Sequence, residues 1–303
     1  MSEITLSASV RGNLLSLQNT AGLIGRTQDR LSSGLAIRSP IDDAVKYFQA
    51  KSLSSRATDL SERKDKIDQG ISTLETVVEA TEAIEDLTQQ IKGIVDAARS
   101  GTKDERKESA TQIKELVTQI QRLVDDASYQ GLNLLNSSAS TLSVRFSEKS
   151  DSKLDVQGVN LNVSKFFLNT AGTALGVEVT NASTIVDTLG FSAALSAYNL
   201  SNASVLAVFN SKADTVIKNL ERTVTNLRSK AATVGTNAAI LQVRLDFTAQ
   251  YTNVLQEGAD KLTLADLNEE GANLLALQTR QQLGIQALSF AGQAEQSIIG
   301  LFR

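Results

Sequence analysis

Both ends of this chain read as helix and both are poor in charge, although they lie at opposite extremes of the sequence. Leu6, Val10, Leu14, Leu17, Ala21, Ile24 and Leu31 recur at helical spacing. Leu264, Leu267, Leu274, Leu277, Leu288, Ile298 and Leu301 do the same at the other end. From Gly271 to Arg303 the only charged side chains are Arg280, Glu295 and Arg303. Chain termini are ordinarily polar and fray in water. A helix that is apolar around much of its circumference needs burial. A fold for this chain must therefore bring the two ends together or hand them to neighbouring copies.

The segments between are ordered by caps and stripes. Gly34 reads as a left-handed C-terminal stop for the first helix. Ser39-Pro40-Ile41-Asp42 reads as a new start, with Ser39 at N-cap, Pro40 at N1 and Asp42 at N3. Asp42 and Asp43 suit the positive helix end, so the pair is read as a cap and not as a catalytic or metal dyad. Ile67, Ile71, Leu74, Val78, Ile84, Leu87, Ile91 and Ile94 then mark a coiled-coil-like helix to about Arg99. Gly70 and Gly93 are expected to bend it, each costing about 1 kcal/mol relative to Ala. Thr102 with Glu105 is a second capping box, opening a helix to about Tyr129 through Ile113, Val117, Ile120 and Val124.

Leu142–Phe146 and Leu154–Leu161 alternate apolar and polar around a polar Glu148–Ser152 turn, which predicts a β-hairpin. Residues 162–204 read as loops with one short helix. Helix returns at Val205, carried by Val216, Leu220, Val224, Leu227, Ala231, Val234, Leu241, Leu245 and Val254. Gly258 is expected to interrupt it before a last helix. The simplest packing is nested: the ends pair, the long helices bundle, and the middle forms the tip. The fold class is mainly α, a long coiled-coil-like helical bundle with a small middle segment containing a β-hairpin. The implied divisions are 1–39, 40–135, 136–204, 205–258 and 259–303.

The absences exclude chemistry. The chain has no His and no Cys, so it holds no Ser-His-Asp triad, no thiolate nucleophile and no imidazole or thiolate metal site. No enzyme activity and no cofactor are expected. A net charge of −4 argues against nucleic acid as the main partner. There is no basic, apolar leader and no run of about 18 apolar residues, so neither a cleaved signal peptide nor a membrane span is expected. Lys and Arg are too few at the ends for an interfacial membrane anchor. Asn162, Asn181, Asn199 and Asn202 match the N-glycosylation pattern as chance does in an Asn- and Ser-rich stretch; O-glycosylation within 180–204 fits better.

Several of these segments resemble bacterial flagellin. Arg30-Leu31-Ser32-Ser33-Gly34-Leu35-Ala36-Ile37-Arg38-Ser39 with Asp42-Asp43-Ala44 is similar to the family's RLSSGLRINSAKDDAA stretch. Gly70-Ile71-Ser72 with Glu75 resembles its DGIS segment. Tyr129–Leu135 resembles QFNG…LL, and Gln281–Arg303 resembles the ending QQAGxxxLxQANQxxxxVLxLLR. The likeness covers roughly 1–135 and 205–303. It implies a D0/D1-type subunit, with terminal helices in the inner tube of a filament and long helices plus hairpin around it. It implies export, unfolded, through the flagellar type III channel to an extracellular filament used for swimming. The implied partners are other copies of the chain, an export chaperone, and the cap and hook-associated proteins.

The resemblance places polymerisation contacts on Leu6, Val10, Leu14, Leu17, Leu31, Leu274, Leu277, Leu288, Ile298 and Leu301. It places a neighbour-facing region at Gln90, Ile91, Lys92 and Ile94, opposite the family's QRVRELAVQ-like stretch. Here that stretch lacks the arginines and the glutamate, so only weak binding to the innate receptor Toll-like receptor 5 is expected. Pro40 and Ile41 depart from the family pattern, and an S-P-x-D-D run also occurs in the related hook–filament junction protein. That protein, or a secreted coiled-coil adhesin, is the alternative reading. The ends are expected to order only on assembly, because fixing each residue costs on the order of 1–2 kcal/mol.

Overall fold

The structure, a computed structural model, describes residues 8–161 and 203–301. Among them are five helices: α1 (Ala8–Ser33), α2 (Ala44–Ala97), α3 (Lys103–Asp126), α4 (Ala203–Thr263) and α5 (Leu267–Leu301). Four short strands, β1 (Ser128–Tyr129), β2 (Leu132–Asn133), β3 (Thr141–Arg145) and β4 (Lys153–Gln157), form two antiparallel hairpins. The mainly α class is as expected. The loops and short helix expected in 162–204 fall almost wholly outside the described residues, as do Leu6 and the four Asn-X-Ser matches.

The start of α2 corrects the expected cap. The helix begins at Ala44, not at Pro40. The Asp42 carboxylate accepts the N–H groups of Arg38 and Ser39, both at 3.1 Å, and the Ser39 hydroxyl at 3.2 Å. The Asp42 N–H in turn donates to the Ser39 carbonyl at 3.1 Å. Ser39–Asp42 is thus a closed turn with Pro40 second, where its fixed φ is favoured. Asp43 is the actual cap, accepting the Lys46 N–H at 3.1 Å. Adjacent acids leave two registers open in the sequence, and the turn takes the first of them.

Gly258 does not interrupt α4, which continues to Thr263. Ala259 behind it is buried and holds the helix to its neighbours. The break comes at Leu264–Asp266, where Asp266 caps α5 by accepting the N–H groups of Asn268 and Glu269 at 2.9 and 3.3 Å. Gly34 ends α1 as expected, with φ of 72° and its N–H donated to the Arg30 carbonyl at 2.8 Å. The Thr102–Glu105 capping box is formed in full. Gly70 and Gly93 both lie within an unbroken α2.

Residues Asp59–Gln250 form one compact unit. Ile67, Leu74, Ile84 and Ile91 of α2, Ile113 and Ile120 of α3, and Phe209 and Leu220 of α4 are almost wholly buried in one core. Three ion pairs fix α2 antiparallel to α4: Glu85–Arg228, Lys92–Glu221 at 2.7 Å and Arg99–Asp214. Their members recur every seven residues on each helix, the heptad repeat of a coiled coil. The β3–β4 hairpin turns Val144 and Val156 inward, with Val144 over Gly70. In the β1–β2 hairpin, Gln130 and Gly131 take φ of 49° and 84°, the pair of positive values a two-residue I′ turn requires. Asn133 locks this hairpin to α3, donating to the Val124 carbonyl at 2.7 Å and accepting the Leu135 N–H at 2.7 Å.

The second unit comprises the chain up to Thr58 and from Tyr251 onward. Here α1 packs on α5, with the N-terminal end of α2 against the C-terminal end of α4. A Cβ at Gly258 would sit 3.4 Å from Leu53 Cδ1, ordinary contact across that second pair.

Candidate functional site

The paired ends are the part of the molecule whose surface departs most from that of an ordinary bundle. α1 and α5 run antiparallel: Leu35 bridges Leu264, Arg30 reaches Glu270, and Leu17 lies beside Gly284. Positions facing the seam recur at steps of three and four. On α1 they are Val10, Asn13, Leu17, Thr20, Ile24 and Thr27; on α5 they are Glu270, Leu274, Leu277, Gln281, Gly284 and Leu288. Polar and small residues thus hold half of the seam. The Thr20 hydroxyl is satisfied within its own helix, donating to the Ser16 carbonyl at 2.9 Å, which lets it be buried. Gly284 lets the helices close, since a Cβ there would stand 3.1 Å from Leu17 Cδ1.

Four further large apolar side chains point away from the seam. Leu15, Leu275, Leu283 and Phe290 are 60, 69, 61 and 70% exposed, with Leu23 and Ile285 also on the surface. Burying one such side chain is worth about 1.5–3 kcal/mol. Large apolar side chains left exposed in this number fit a surface that meets a partner.

Backbone bonds clamp the pair at one end. Ala36 and Ile37 donate to the Thr263 carbonyl at 2.8 and 3.3 Å, and Ala265 donates to the Gly34 carbonyl at 2.9 Å. Beside them Arg30 Nη1 donates to Glu270 Oε1 at 2.9 Å. Glu270 is buried and the Arg30 side chain is 35% exposed, so the pair is partly shielded from water. Each charge also suits its own helix, Arg30 in the last turn of α1 and Glu270 in the first turn of α5. Backbone N–H bonds from Arg38 and Ser39 hold the Asp42 carboxyl below its usual value.

The residues singled out in the sequence divide between the two faces. Val10, Leu17, Leu274, Leu277 and Leu288 line the seam, whereas Leu14 and Leu31 are 39 and 38% exposed on its flank. Ile298 and Leu301 lie in the last turns of α5. The outward residues Leu15, Leu275, Leu283 and Phe290 were not singled out. The doublets Leu14-Leu15 and Leu274-Leu275, which put apolar groups on two sides of a helix, are the signal for Leu15 and Leu275; Leu283 and Phe290 carry no such mark. In the 90–94 region Ile91 is fully buried in the core and presents no side chain to a neighbour. Gln90 is exposed, Lys92 is tied to Glu221, and Ile94 is half-buried against the core. Bidentate bonding from Arg228 on this face, with Nε 3.0 Å from Glu85 Oε1, lowers the Glu85 pKa.

The fold defines a mainly helical bundle protein whose two terminal helices are paired. The family model for the bacterial flagellin N-terminal helical region matches residues 6–140, and that for the C-terminal helical region matches residues 217–302. The chain belongs to the bacterial flagellin family. It is 32% identical over 105 residues to flagellin A of Rhizobium meliloti, covering 35% of this chain and 27% of that one. It is 41% identical over 91 residues to flagellin FljM of Caulobacter vibrioides, covering 30% and 33%. The aligned stretches are thus a third or less of these relatives' length. A solved structure described as a flagellar hook-associated protein from Vibrio parahaemolyticus covers 74% of this chain and all of its own, with a TM-score of 0.58 and 12% identity. That likeness concerns the fold alone.

Proposed function

We propose that this chain is the structural subunit of a bacterial flagellar filament, acting by self-assembly outside the cell and not by catalysis. The observation that supports it most is the surplus of apolar side chains on the end pair: the seam takes Val10, Leu17, Ile24, Leu274, Leu277 and Leu288 beside Thr, Gln and Gly, and Leu15, Leu275, Leu283 and Phe290 remain outside it. The side chains left outside are the ones that neighbouring copies would bury. A contact between unlike surfaces that does not close on itself generates a helical filament.

In this reading α1 and α5 line the inner tube and the 59–250 unit forms the layer around it. Val10, Leu17, Leu274, Leu277 and Leu288 set the pair, and Leu14, Leu31, Ile298 and Leu301 join its outer contacts. Gln90, Lys92 and Ile94 lie near the contact between outer-layer neighbours. The subunit leaves the cell through the flagellar type III system, accompanied by an export chaperone, and assembles between hook-associated and cap proteins. No helix among the described residues is long and apolar enough to cross a membrane.

Seeded elongation tests the proposal. Purified chain added to filament fragments should extend them into long tubes. Removal of residues 271–303 should abolish elongation while leaving the 59–250 unit folded. Normal growth of the truncated chain would refute the role given to the ends, and failure of the full chain to elongate would favour the hook–filament junction reading.

A further inference from the structure

On the α2–α4 face of the 59–250 unit, Lys92, Arg99 and Arg228 each hold a carboxylate. One cleft gathers cations without one. It has a volume of about 520 Å³ and lies between α2, the β1–β2 turn and β3. Arg63 and Lys66 enter it from α2 and Arg145 from β3, and no carboxylate lines it. Among the described residues, no ion pair joins any of these three cations to an acid. Arg145 also acts electrostatically on Asp155, which is itself engaged by the Lys153 ammonium at 2.6 Å and the Ser143 hydroxyl.

The Arg63 Nε is buried and meets no acceptor. A buried charged donor without a partner is costly, and such groups are rare in folded proteins. Three like charges converging on one cleft repel one another unless an anion sits between them. Two of the three are guanidinium groups, whose planar forks match carboxylate and phosphate oxygens. The Tyr129 ring and Leu132 supply an apolar wall, and the Gln130 amide a polar edge. The volume falls within the roughly 300–1,000 Å³ of small-molecule sites.

We propose that this cleft binds an oxyanion, a carboxylate or phosphate group held by Arg63, Lys66 and Arg145. That group is supplied either by free inorganic phosphate or by an acidic saccharide whose ring lies against Tyr129.

Calorimetric titration of the full-length soluble chain tests it, with inorganic phosphate in one arm and trigalacturonate in the other, and trimaltose as the uncharged control. At least one anion should bind, and added salt should weaken it. The double variant Lys66→Gln, Arg145→Gln should bind that anion at least about tenfold more weakly, with an unchanged circular dichroism spectrum. Both side chains project from the core surface, so the variant keeps its fold. Binding of phosphate as tight as trigalacturonate assigns the site to the free ion; tighter binding of trigalacturonate assigns it to the saccharide. The proposal is overturned if neither anion binds at about 10 mM, if the double variant binds as well as the natural chain, or if trimaltose binds equally.

Discussion

Gly70 and Gly93 lie on the same helix and meet opposite surroundings. A Cβ at Gly70 would stand 2.8 Å from Val144 Cγ2 and 3.3 Å from Leu241 Cδ1, and Val144 is a buried, β-branched residue with little room to turn. At Gly93 nothing lies within 4 Å. Gly93→Ala should therefore stabilise the chain by up to about 1 kcal/mol through helix propensity. Gly70→Ala should destabilise it by about 1–3 kcal/mol, because overpacking outweighs the same gain. Urea denaturation followed at 222 nm checks both, and shifts of the same sign would remove the packing explanation for Gly70. From the sequence the two glycines looked alike, since spacing does not reveal which face a hairpin will cover. The threonines were hidden for a related reason. Thr81 and Thr88 are buried in the α2 core, each donating to the carbonyl four residues back at 2.6 and 2.8 Å. A stripe read from apolar letters alone selects Val78 and Leu87 and passes over these, because the satisfied hydroxyl makes a polar letter act as core.

Elements were legible where a single cap chemistry was on offer, as at Thr102–Glu105, and shifted where two were, as at Asp42-Asp43. The hairpin β3–β4 was legible because alternation over five residues has one reading, and its register, Leu142 opposite Val156 and Val144 opposite Leu154, keeps that alternation. The end of α4 was misplaced because a glycine within a helix weakens it without ending it. The clamp between α1 and α5 was not legible, since Arg30 and Glu270 are brought together only by the fold. Arg30→Ala and Glu270→Ala should each loosen hydrogen-exchange protection across α1 and α5. The double variant should lose less than the two singles combined, a coupling of about 1 kcal/mol or more. Additive losses would mean that the pair does not act as one contact. Acid should loosen local elements in a defined window. The carboxyl groups of Asp42, Glu85, Glu105 and Asp155 are all held below their ordinary values, mainly by bonds from backbone N–H groups, Arg228, Thr102 and Lys153 respectively. A lowered pKa contributes stability above the unfolded value and loses it as pH falls through the folded one. Helical content should thus be level from about pH 7 to about pH 5 and decline below about pH 4. A decline centred near neutrality would contradict this assignment.

At the scale of the whole molecule the chain divides its hydrophobic residues between two tasks. Most of those of the 59–250 unit close on themselves in one core, with Val208, Val243 and Phe247 left exposed. Those of the end pair are shared between a half-polar seam and an exposed outer side that carries Leu15, Leu275, Leu283 and Phe290. The separation of the ends in sequence and their union in space follow from this: the chain leaves the paired region, builds the bundle, and returns. The need of the ends for burial was legible in their low charge, but the face that meets a neighbour was not, because a helix apolar on two sides does not declare which is which. The critical concentration for filament growth of the Leu283→Gln, Phe290→Gln variant tests the central claim most directly. Both side chains are more than half exposed, so the free chain should keep its circular dichroism spectrum. If they are the assembly surface, the critical concentration should rise at least about tenfold, the equivalent of about 1.4 kcal/mol. A variant that polymerises at the concentration of the natural chain would show that the outward apolar face of the end pair is not what holds subunits together.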